Sequence, residues 1–137
     1  MQRKLTRSHS QAKADKGTST KVWAGRFTSG PAELMEKFSR SIDIDGRLWR
    51  EDIRVNQAWA TALRAAGILS AAEEKRIQNG LQRIAEEFRA NRFRFRPQDE
   101  DIHVAIERRL TELSGDAGAK IHTGRSRNDQ VARCMLA

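Results

Sequence analysis

The sequence has 137 residues, of which 38% are hydrophobic and 32% are charged, and its formal net charge is +8. This length suits one domain with a modest core, and no apolar run approaches the roughly 20 residues that a membrane span needs. Cys134 is the only cysteine, which excludes an intrachain disulfide. A single cysteine suits a reducing, cytoplasmic compartment, and its place in a helical pattern predicts a buried thiol.

The first 20 residues differ in composition from the rest of the chain. They carry five Lys and Arg residues against Asp15 alone, with one leucine and no aromatic residue. Such a stretch cannot bury enough apolar surface to offset the entropy of ordering, so we predict a disordered basic tail over residues 1–20. It lacks the apolar segment of a secretory signal, and an organellar transit peptide is the less favoured alternative.

Beyond the tail, the spacing of apolar residues predicts helices. A short helix follows Ser29 and Pro31, which suit a turn and a helix start. A longer helix begins at Asp45 and ends before Gly67, because glycine fits the position just past a helix. The predicted apolar stripe of this longer helix comprises Leu48, Val55, Trp59, Ala62, Leu63 and Ala66.

The next helix has a clear start signal. Ser70 and Glu73 have the spacing of a capping box, in which each side chain bonds the other residue's backbone N–H. Only a few residues separate this helix from the previous one, so we predict that the two pack as an antiparallel hairpin. Its apolar stripe comprises Ile77, Leu81, Ile84 and Phe88.

The segment NRFRFRP alternates arginine with phenylalanine and ends at Pro97. Interleaved basic and aromatic residues can stack on and neutralise a single-stranded nucleic acid. Alternatively, the segment is an extended connector in which Phe93 and Phe95 plug the domain while the arginines face water. We favour the connector because no second basic and aromatic stretch supports a groove.

A further helix is predicted over DEDIHVAIERRLTEL, with Asp99 as its cap and acidic residues in its first turn. Its stripe comprises Ile102, Ile106, Leu110 and Leu113. SGDAGAK is predicted as a loop, and a last helix starts around Ser126 to Asp129. The predicted fold class is therefore all-α. Because the three histidines are scattered in the sequence, we predict no metal site.

The stretch KIHTGRSRND concentrates hydrogen-bonding groups where this last helix starts. Ser126 or Asn128 could cap the helix, but one cap would be enough. Thr123 adds a third short polar side chain, and Arg125 and Arg127 add positive charge. Free N–H groups at a helix start together with guanidinium groups make a strong site for a carboxylate. From the residues alone, capping and carboxylate binding are equally well supported.

Four blocks in order, KVWAGRF, MEKFSRSIDIDGRLWREDI, DEDIHVAIERRLTEL and KIHTGRSRNDQVA, resemble the argininosuccinate lyase family over residues 21–137. The resemblance implies the all-α fold of the aspartase–fumarase superfamily, with an N-terminal helical lyase domain at 21–124 and the start of a central helical bundle at 125–137. It also implies a homotetramer that reversibly cleaves argininosuccinate to arginine and fumarate. No cofactor, metal, membrane or nucleic-acid partner is expected.

The resemblance also suggests roles for single residues. Ser41 and Asn128 match substrate-binding positions, and Ser126 and Arg127 lie in the same family loop as Asn128. The family's general base and acid lie in later segments that are absent from these 137 residues, so we predict no catalytic residue and no lyase activity for the chain alone. Candidate supporting residues are Thr123, Arg125 and His103, the last interpreted as an exposed helix residue rather than a direct catalyst.

Two other function classes remain open at this point. The positive charge, the basic tail and the RFRFR segment fit a helical nucleic-acid-binding protein, whose affinity would fall steeply with salt. That interpretation leaves the four ordered blocks unexplained. A crystallin-like, non-catalytic relative of the lyase is the other alternative, and residues 1–137 do not distinguish it from an enzyme.

Overall fold

The computed structural model describes residues 38–136, and within that range it contains helices, turns and irregular connections but no strand. The prediction of an all-α fold is therefore confirmed. The basic tail at residues 1–20, the KVWAGRF block and the turn at Ser29 and Pro31 lie outside the described residues. No helix in the described range is long and apolar enough to cross a membrane.

Between residues 42 and 136 the chain forms long helices joined by short helical turns. Two 3-10 turns, Gly46–Leu48 and Lys120–His122, connect them. The α-helices are α1 (Ile42–Asp45), α2 (Trp49–Ala65), α3 (Ala71–Arg89), α4 (Ile102–Ser114), α5 (Asp116–Ala119) and α6 (Arg127–Leu136).

One predicted helix boundary was wrong, and one short helix was missed. The long helix α2 begins at Trp49 rather than Asp45, because Asp45 ends α1 and its carboxylate accepts a hydrogen bond from the Ile102 N–H at 3.0 Å. The segment SGDAGAK, predicted as a loop, contains α5. There Gly115 adopts φ 60°, and a side chain on Gly118 would meet the Leu110 carbonyl oxygen at 2.8 Å. The glycines thus allow a tight turn and a close approach to α4.

Helices α2 and α3 form the predicted antiparallel hairpin. Thr61 donates to Glu74 Oε1 at 3.0 Å, and Gln78 Nε2 donates to the Gln57 carbonyl at 3.0 Å. Residues near the end of α2 therefore face residues near the start of α3. Gly67 follows α2 with φ 74°, the left-handed conformation predicted for this position.

The capping box at the start of α3 is also confirmed. Ser70 Oγ accepts from the Glu73 N–H at 3.2 Å, and the Glu73 carboxylate accepts from the Ser70 N–H at 2.8 Å. Glu73 also pairs with Lys120 at 2.5 Å. These hydrogen bonds, with Lys120 contributing most, lower the pKa of Glu73 to about 2.

The core is aliphatic around α3 and α4, whose predicted stripes are largely confirmed. Phe88 and Leu113 at the ends of these stripes are partly buried and pack against the core. Gly80 lets the two helices approach closely, because a side chain there would meet Ser114 Oγ at 2.6 Å and Leu110 Cδ1 at 2.7 Å. The fully buried members of the two stripes are Ile77, Leu81, Ile84, Ile102, Ile106 and Leu110.

The stripe predicted for α2 has the wrong phase. Of its six members only Leu63 is buried, and Ala62 and Ala66 are exposed. The buried face instead includes two polar residues, Asp52 and Asn56. Apolar spacing cannot mark that face, because polar residues are buried there through hydrogen bonds to each other and to other helices. The buried residues of α2 are Asp52, Ile53, Asn56, Ala60 and Leu63.

The segment after α3 is an irregular connector, as favoured from the sequence. Phe93 is 8% exposed and stacks on Phe88 with ring centroids 4.1 Å apart. Phe95 packs edge-on against Phe93 at 5.1 Å but remains 46% exposed, so only one of the two phenylalanines fully plugs the domain. The arginines of the segment are exposed, as predicted.

Asp99 does not cap α4, contrary to the prediction. The cap is Asp101, whose Oδ1 accepts from the Val104 N–H at 2.7 Å, and the first turn of α4 contains no acidic residue. Asp99 is instead fully buried and accepts two hydrogen bonds from Arg108, each of 2.8 Å. The sequence offers two aspartates near this helix start, and the tertiary contact with Arg108 decides which one is free to cap.

Candidate functional site

The polar stretch singled out in the sequence forms the loop before α6 and the first turn of α6. Ser126 is the cap: its N–H and hydroxyl donate to Asp129 Oδ2 at 2.8 and 2.9 Å, and its Oγ lies 3.4 Å from the Asp129 N. The Ser126 backbone hydrogen bond, followed by its hydroxyl, lowers the pKa of Asp129. Capping therefore engages Ser126 and Asp129, and it does not use the side chains of Thr123, Arg125, Arg127 and Asn128.

Arg127 points from the first turn of α6 toward the start of α4. Its Nε lies 3.4 Å from Asp101 Oδ2, and its Nη2 lies 3.8 Å from Glu107 Oε2. Its Nη1 donates to Gln130 Oε1 at 2.7 Å. These contacts hold a partly exposed guanidinium at the junction of α4 and α6.

Ser41 reaches the same junction from α1. Its N–H donates to the Glu100 carbonyl at 2.9 Å, next to the Asp101 that Arg127 contacts. Its hydroxyl donates to Asp45 Oδ2 at 2.5 Å. Two predicted site residues that are far apart in the sequence, Ser41 and Arg127, are thus brought to adjacent residues at the start of α4.

Asn128 and Thr123 remain available for a ligand. Both side chains are exposed, and neither forms a hydrogen bond with another residue in the range 38–136. Asn128 lies in the first turn of α6, where the backbone N–H groups give the helix end its partial positive charge. An amide donor at this position suits an anionic group approaching the helix start.

Behind the loop lies a chain of buried polar side chains that the sequence did not reveal. Arg125 Nη2 donates to Asn56 Oδ1, and Asn56 Nδ2 donates to Asp52 Oδ2 at 2.8 Å. The other oxygen of Asp52 lies 2.6 Å from His103 Nδ1. His103 is 2% exposed, so its interpretation as an exposed helix residue was wrong, because Asp52 provides it with a buried partner.

Trp59 adds a second attachment for the loop. Its Nε1–H donates to the Thr123 carbonyl at 3.1 Å, and its ring centroid lies 5.8 Å from the Arg125 guanidinium carbon. Arg125 is half-buried, and within the described residues its Nε and Nη1 have no hydrogen-bond partner. Burial lowers the pKa of Arg125. The spacing of Asp52, Asn56 and Trp59, which share one face of α2, was the only sequence signal for this anchor.

Cys134 is buried, as predicted, but it faces a carboxylate. It is 3% exposed, and its Sγ lies 3.7 Å from Asp52 Oδ1. Burial, followed by the charge of Asp52, raises the pKa of Cys134 to about 12. The thiol therefore stays protonated at neutral pH and donates to Asp52.

A cleft of about 830 Å³ runs between α2 and α6 beside the loop. Its lining is mainly apolar, with Val55 and Trp59 from α2 and Leu136 from α6, and Arg125 and Gln130 contribute polar atoms. The outer side of α6 also exposes Val131 and Met135. Helix α6 therefore presents apolar side chains both to this cleft and to solvent.

Comparisons with known proteins place these observations in a family. Residues 25–136 match the family model described as "Lyase". The chain is 54% identical over 121 residues to argininosuccinate lyase of Chlamydomonas reinhardtii, which covers 88% of this chain and 26% of that protein. It is 52% identical over 111 residues to argininosuccinate lyase of Roseiflexus castenholzii, covering 81% of this chain and 24% of that protein. It is 50% identical over 112 residues to argininosuccinate lyase of Thermus thermophilus, an alignment that covers 82% of this chain and 24% of that protein. The chain thus spans about a quarter of the length of these relatives.

Proposed function

Because the chain belongs to the lyase family and is similar to argininosuccinate lyases, we propose that it supplies the carboxylate-binding loop of an enzyme that reversibly cleaves argininosuccinate to arginine and fumarate. The observation that carries the proposal is the convergence of Ser41 and Arg127 on the start of α4, beside the exposed Asn128. These are three of the four substrate-binding residues that the family resemblance suggested, and the fourth, Ser126, caps α6.

The chemistry of the substrate matches these residue types. Argininosuccinate carries three carboxylates and a guanidinium group. Its cleavage removes a proton next to a carboxylate, so negative charge develops on that carboxylate as the carbon–nitrogen bond breaks. Donors fixed in advance around this charge lower the barrier. Arg127 supplies a cation, Asn128 a neutral amide, and the start of α6 the partial charge of its N–H groups.

The remaining polar groups of the described site serve other tasks. Ser126 donates to Asp129, and His103 is buried against Asp52. We therefore assign the described residues to binding and orientation, and the proton transfers to family segments outside these 137 residues. On this assignment the 137-residue chain alone binds substrate groups but forms no fumarate.

The assembly and location implied by the resemblance are also part of the proposal. We infer a homotetramer, in which Val131, Met135 and Leu136 of α6 are covered by other helices. These three side chains are 44%, 71% and 89% exposed here, and exposed apolar patches of this kind mark association surfaces. A cytoplasmic location fits the single reduced cysteine.

The nucleic-acid alternative has little support at the RFRFR segment. Arg96 pairs with Glu112 at 2.8 Å, and Arg108 pairs with Asp99. Arg109 pairs with Glu87 at 2.5 Å. Acidic partners therefore neutralise much of the positive charge on this surface, and no relative reported above is named as a nucleic-acid-binding protein.

The test is a chimaera in which residues 25–136 replace the matching segment of the Chlamydomonas reinhardtii lyase. We expect the chimaera to release fumarate from argininosuccinate, as measured by fumarate absorbance. Asn128→Ala should lower kcat/KM by about 100-fold, because it removes a free donor near the developing charge. Ser41→Ala should also lower kcat/KM, because it removes the hydroxyl that donates to the Asp45 carboxylate at the same junction. Asn79→Ala, on the exposed side of α3, is the matched control and should leave kcat/KM unchanged. Unaltered kinetics in both site variants of an active chimaera would rule out the assigned binding roles.

A further inference from the structure

Three side chains of metal-binding types meet in the interior, each from a different long helix. Asp52 comes from α2, His103 from α4 and Cys134 from α6. Their ligand atoms, a carboxylate oxygen, an imidazole nitrogen and the thiol sulfur, all lie within 4.8 Å of one another. The three residues are 0%, 2% and 3% exposed. None of them belongs to the carboxylate-binding loop.

We propose that Asp52, His103 and Cys134 bind one divalent ion of the zinc class, such as Zn²⁺ or Co²⁺. The donor set decides the class of ion. A thiolate and an imidazole are ligands that zinc and cobalt accept, whereas calcium and magnesium prefer oxygen ligands alone. Three protein ligands leave a fourth position for water or a small ligand, as in open zinc sites.

The distances fit this coordination with a small adjustment. Bond lengths of about 2.0 Å to nitrogen or oxygen and about 2.3 Å to sulfur place tetrahedral ligand atoms roughly 3.3–3.7 Å apart. Cys134 Sγ already lies 3.7 Å from Asp52 Oδ1. His103 Nδ1 lies 2.6 Å from the same oxygen, so this pair must separate by about 1 Å, which a rotation of the imidazole can supply.

Protons hold the three groups together without a metal. The imidazole Nδ1–H and the thiol S–H both donate to Asp52 Oδ1. On binding, the ion takes the place of both protons: the thiol proton leaves to solvent, and the single proton of the neutral imidazole moves from Nδ1 to Nε2. One proton is thus released for each ion bound. The thiolate and the carboxylate then balance the two positive charges of the ion, so the nearby guanidinium of Arg125 meets a neutral group.

The surroundings already orient the carboxylate for this role. Asn56 Nδ2 donates to Asp52 Oδ2 at 2.8 Å, which leaves Oδ1 directed at His103 and Cys134. Outer hydrogen bonds of this kind fix ligand carboxylates in metal sites. The cleft between α2 and α6 reaches Gln130, one helical turn from Cys134, and offers the ion a route inward.

Titration of the full 137-residue chain with cobalt chloride tests the proposal. We expect one Co²⁺ per chain, with the visible bands of tetrahedral cobalt and a near-ultraviolet thiolate-to-cobalt charge-transfer band, and we expect Zn²⁺ to displace both. The charge-transfer band should vanish in Cys134→Ser. Zn²⁺ affinity in that variant should fall by more than about 100-fold, since even outer-shell partners are worth 10–100-fold.

His122→Gln is the matched control, because His122 lies outside the cluster and should leave the cobalt spectrum unchanged. Far-ultraviolet circular dichroism checks that each variant keeps its helices. The proposal is overturned if the folded chain gives no cobalt spectrum. A charge-transfer band that survives in folded Cys134→Ser, or that disappears in folded His122→Gln, also overturns it, because the ion then lies elsewhere.

Discussion

Helices α3 and α6 are held to the rest of the protein in different ways. The buried residues of α3 are all apolar or glycine: Ile77, Gly80, Leu81, Ile84 and Ala85. The buried residues of α6 are Gln130 and Cys134, and the Cys134 sulfur lies 3.7 Å from Asp52 Oδ1 of α2. Apolar burial is non-directional, so α3 supplies stability with little demand on geometry.

Burying polar groups, in contrast, depends strongly on geometry. Each buried polar group needs a correctly placed partner, because leaving one unpaired destabilises the folded protein by about 1–3 kcal/mol. The contacts Arg125–Asn56, Asn56–Asp52 and Asp52–His103 therefore specify one arrangement of the helices around the loop. We call the apolar packing around α3 the scaffold. We call the buried polar contacts among Asp52, Asn56, His103 and Arg125 the polar seam, which joins α2 and α4 to the loop before α6. The comparison indicates that the scaffold supplies stability, while the polar seam fixes the position of the loop.

The largest effect on stability is expected from Asp52→Ala. This change leaves His103, Asn56 and the Cys134 thiol without their shared partner. Breaking one side of such a buried cluster should lower the free energy of unfolding by about 3–5 kcal/mol, as measured by urea denaturation. Asp43→Ala, at an exposed aspartate of α1, is the control and should cost less than about 1 kcal/mol. Equal costs for the two variants would mean that the polar seam is not formed.

Truncation in the scaffold should have a similar or smaller effect. Leu81 is fully buried in α3, and Leu81→Ala should lower the free energy of unfolding by about 2–5 kcal/mol. Ile68→Ala, at a side chain that is 44% exposed, should cost clearly less in the same urea experiment. If the two variants unfold at the same urea concentration, α3 does not pack on the core as described.

The helix caps should have intermediate effects and allow the two regions to be compared directly. Ser70 caps α3 in the scaffold, and Ser126, next to Arg125 of the polar seam, caps α6. Each change to alanine should cost about 0.5–2 kcal/mol of stability, because each removes an acceptor for a helix N–H. Thermal denaturation of the two variants measures this. An unchanged melting temperature in Ser70→Ala would show that the capping box does not form in solution.

The smallest expected effect is a dependence of stability on pH from Glu73. Lys120 and Ser70 hold the pKa of Glu73 at about 2 in the folded chain, below the ordinary value of 4.5. A lowered folded pKa means that the stabilisation is complete above pH 4.5 and is lost as the pH falls toward 2. Glu73→Gln should reduce the acid-side slope of the urea midpoint, whereas Glu86→Gln, at an exposed glutamate of the same helix, should keep it. An identical slope in wild type and Glu73→Gln would contradict the assignment.

The parts of the fold that the sequence predicted well are those where burial and apolarity coincide. The stripes of α3 and α4 were found because their buried positions are occupied by Ile and Leu. The phase of α2 was missed because Asp52 and Asn56 occupy two of its buried positions. Asp99 was mistaken for the cap of α4 because its burial against Arg108 depends on a tertiary contact that local sequence does not encode.

The candidate site shows the same division. The loop was recognised because Thr123, Ser126 and Asn128 concentrate short polar side chains at a helix start. The groups that hold the loop were missed, since the pairing of Asp52 with His103 joins two helices that are distant in the chain. Sequence pattern therefore indicated the groups that we propose bind a ligand, and three-dimensional packing was needed to identify those that support them.

The most direct test of the division between scaffold and site compares two variants of the lyase chimaera, at a temperature where both are folded. Asn128→Ala should lower kcat/KM by about 100-fold while leaving the melting temperature almost unchanged, because its side chain is exposed and its proposed partner is the substrate alone. Ile77→Val should lower stability by about 0.5–1.5 kcal/mol and leave kcat/KM of the folded enzyme unchanged. If Asn128→Ala retains full kcat/KM, or if Ile77→Val loses activity as strongly, the proposed separation of scaffold and binding loop is wrong.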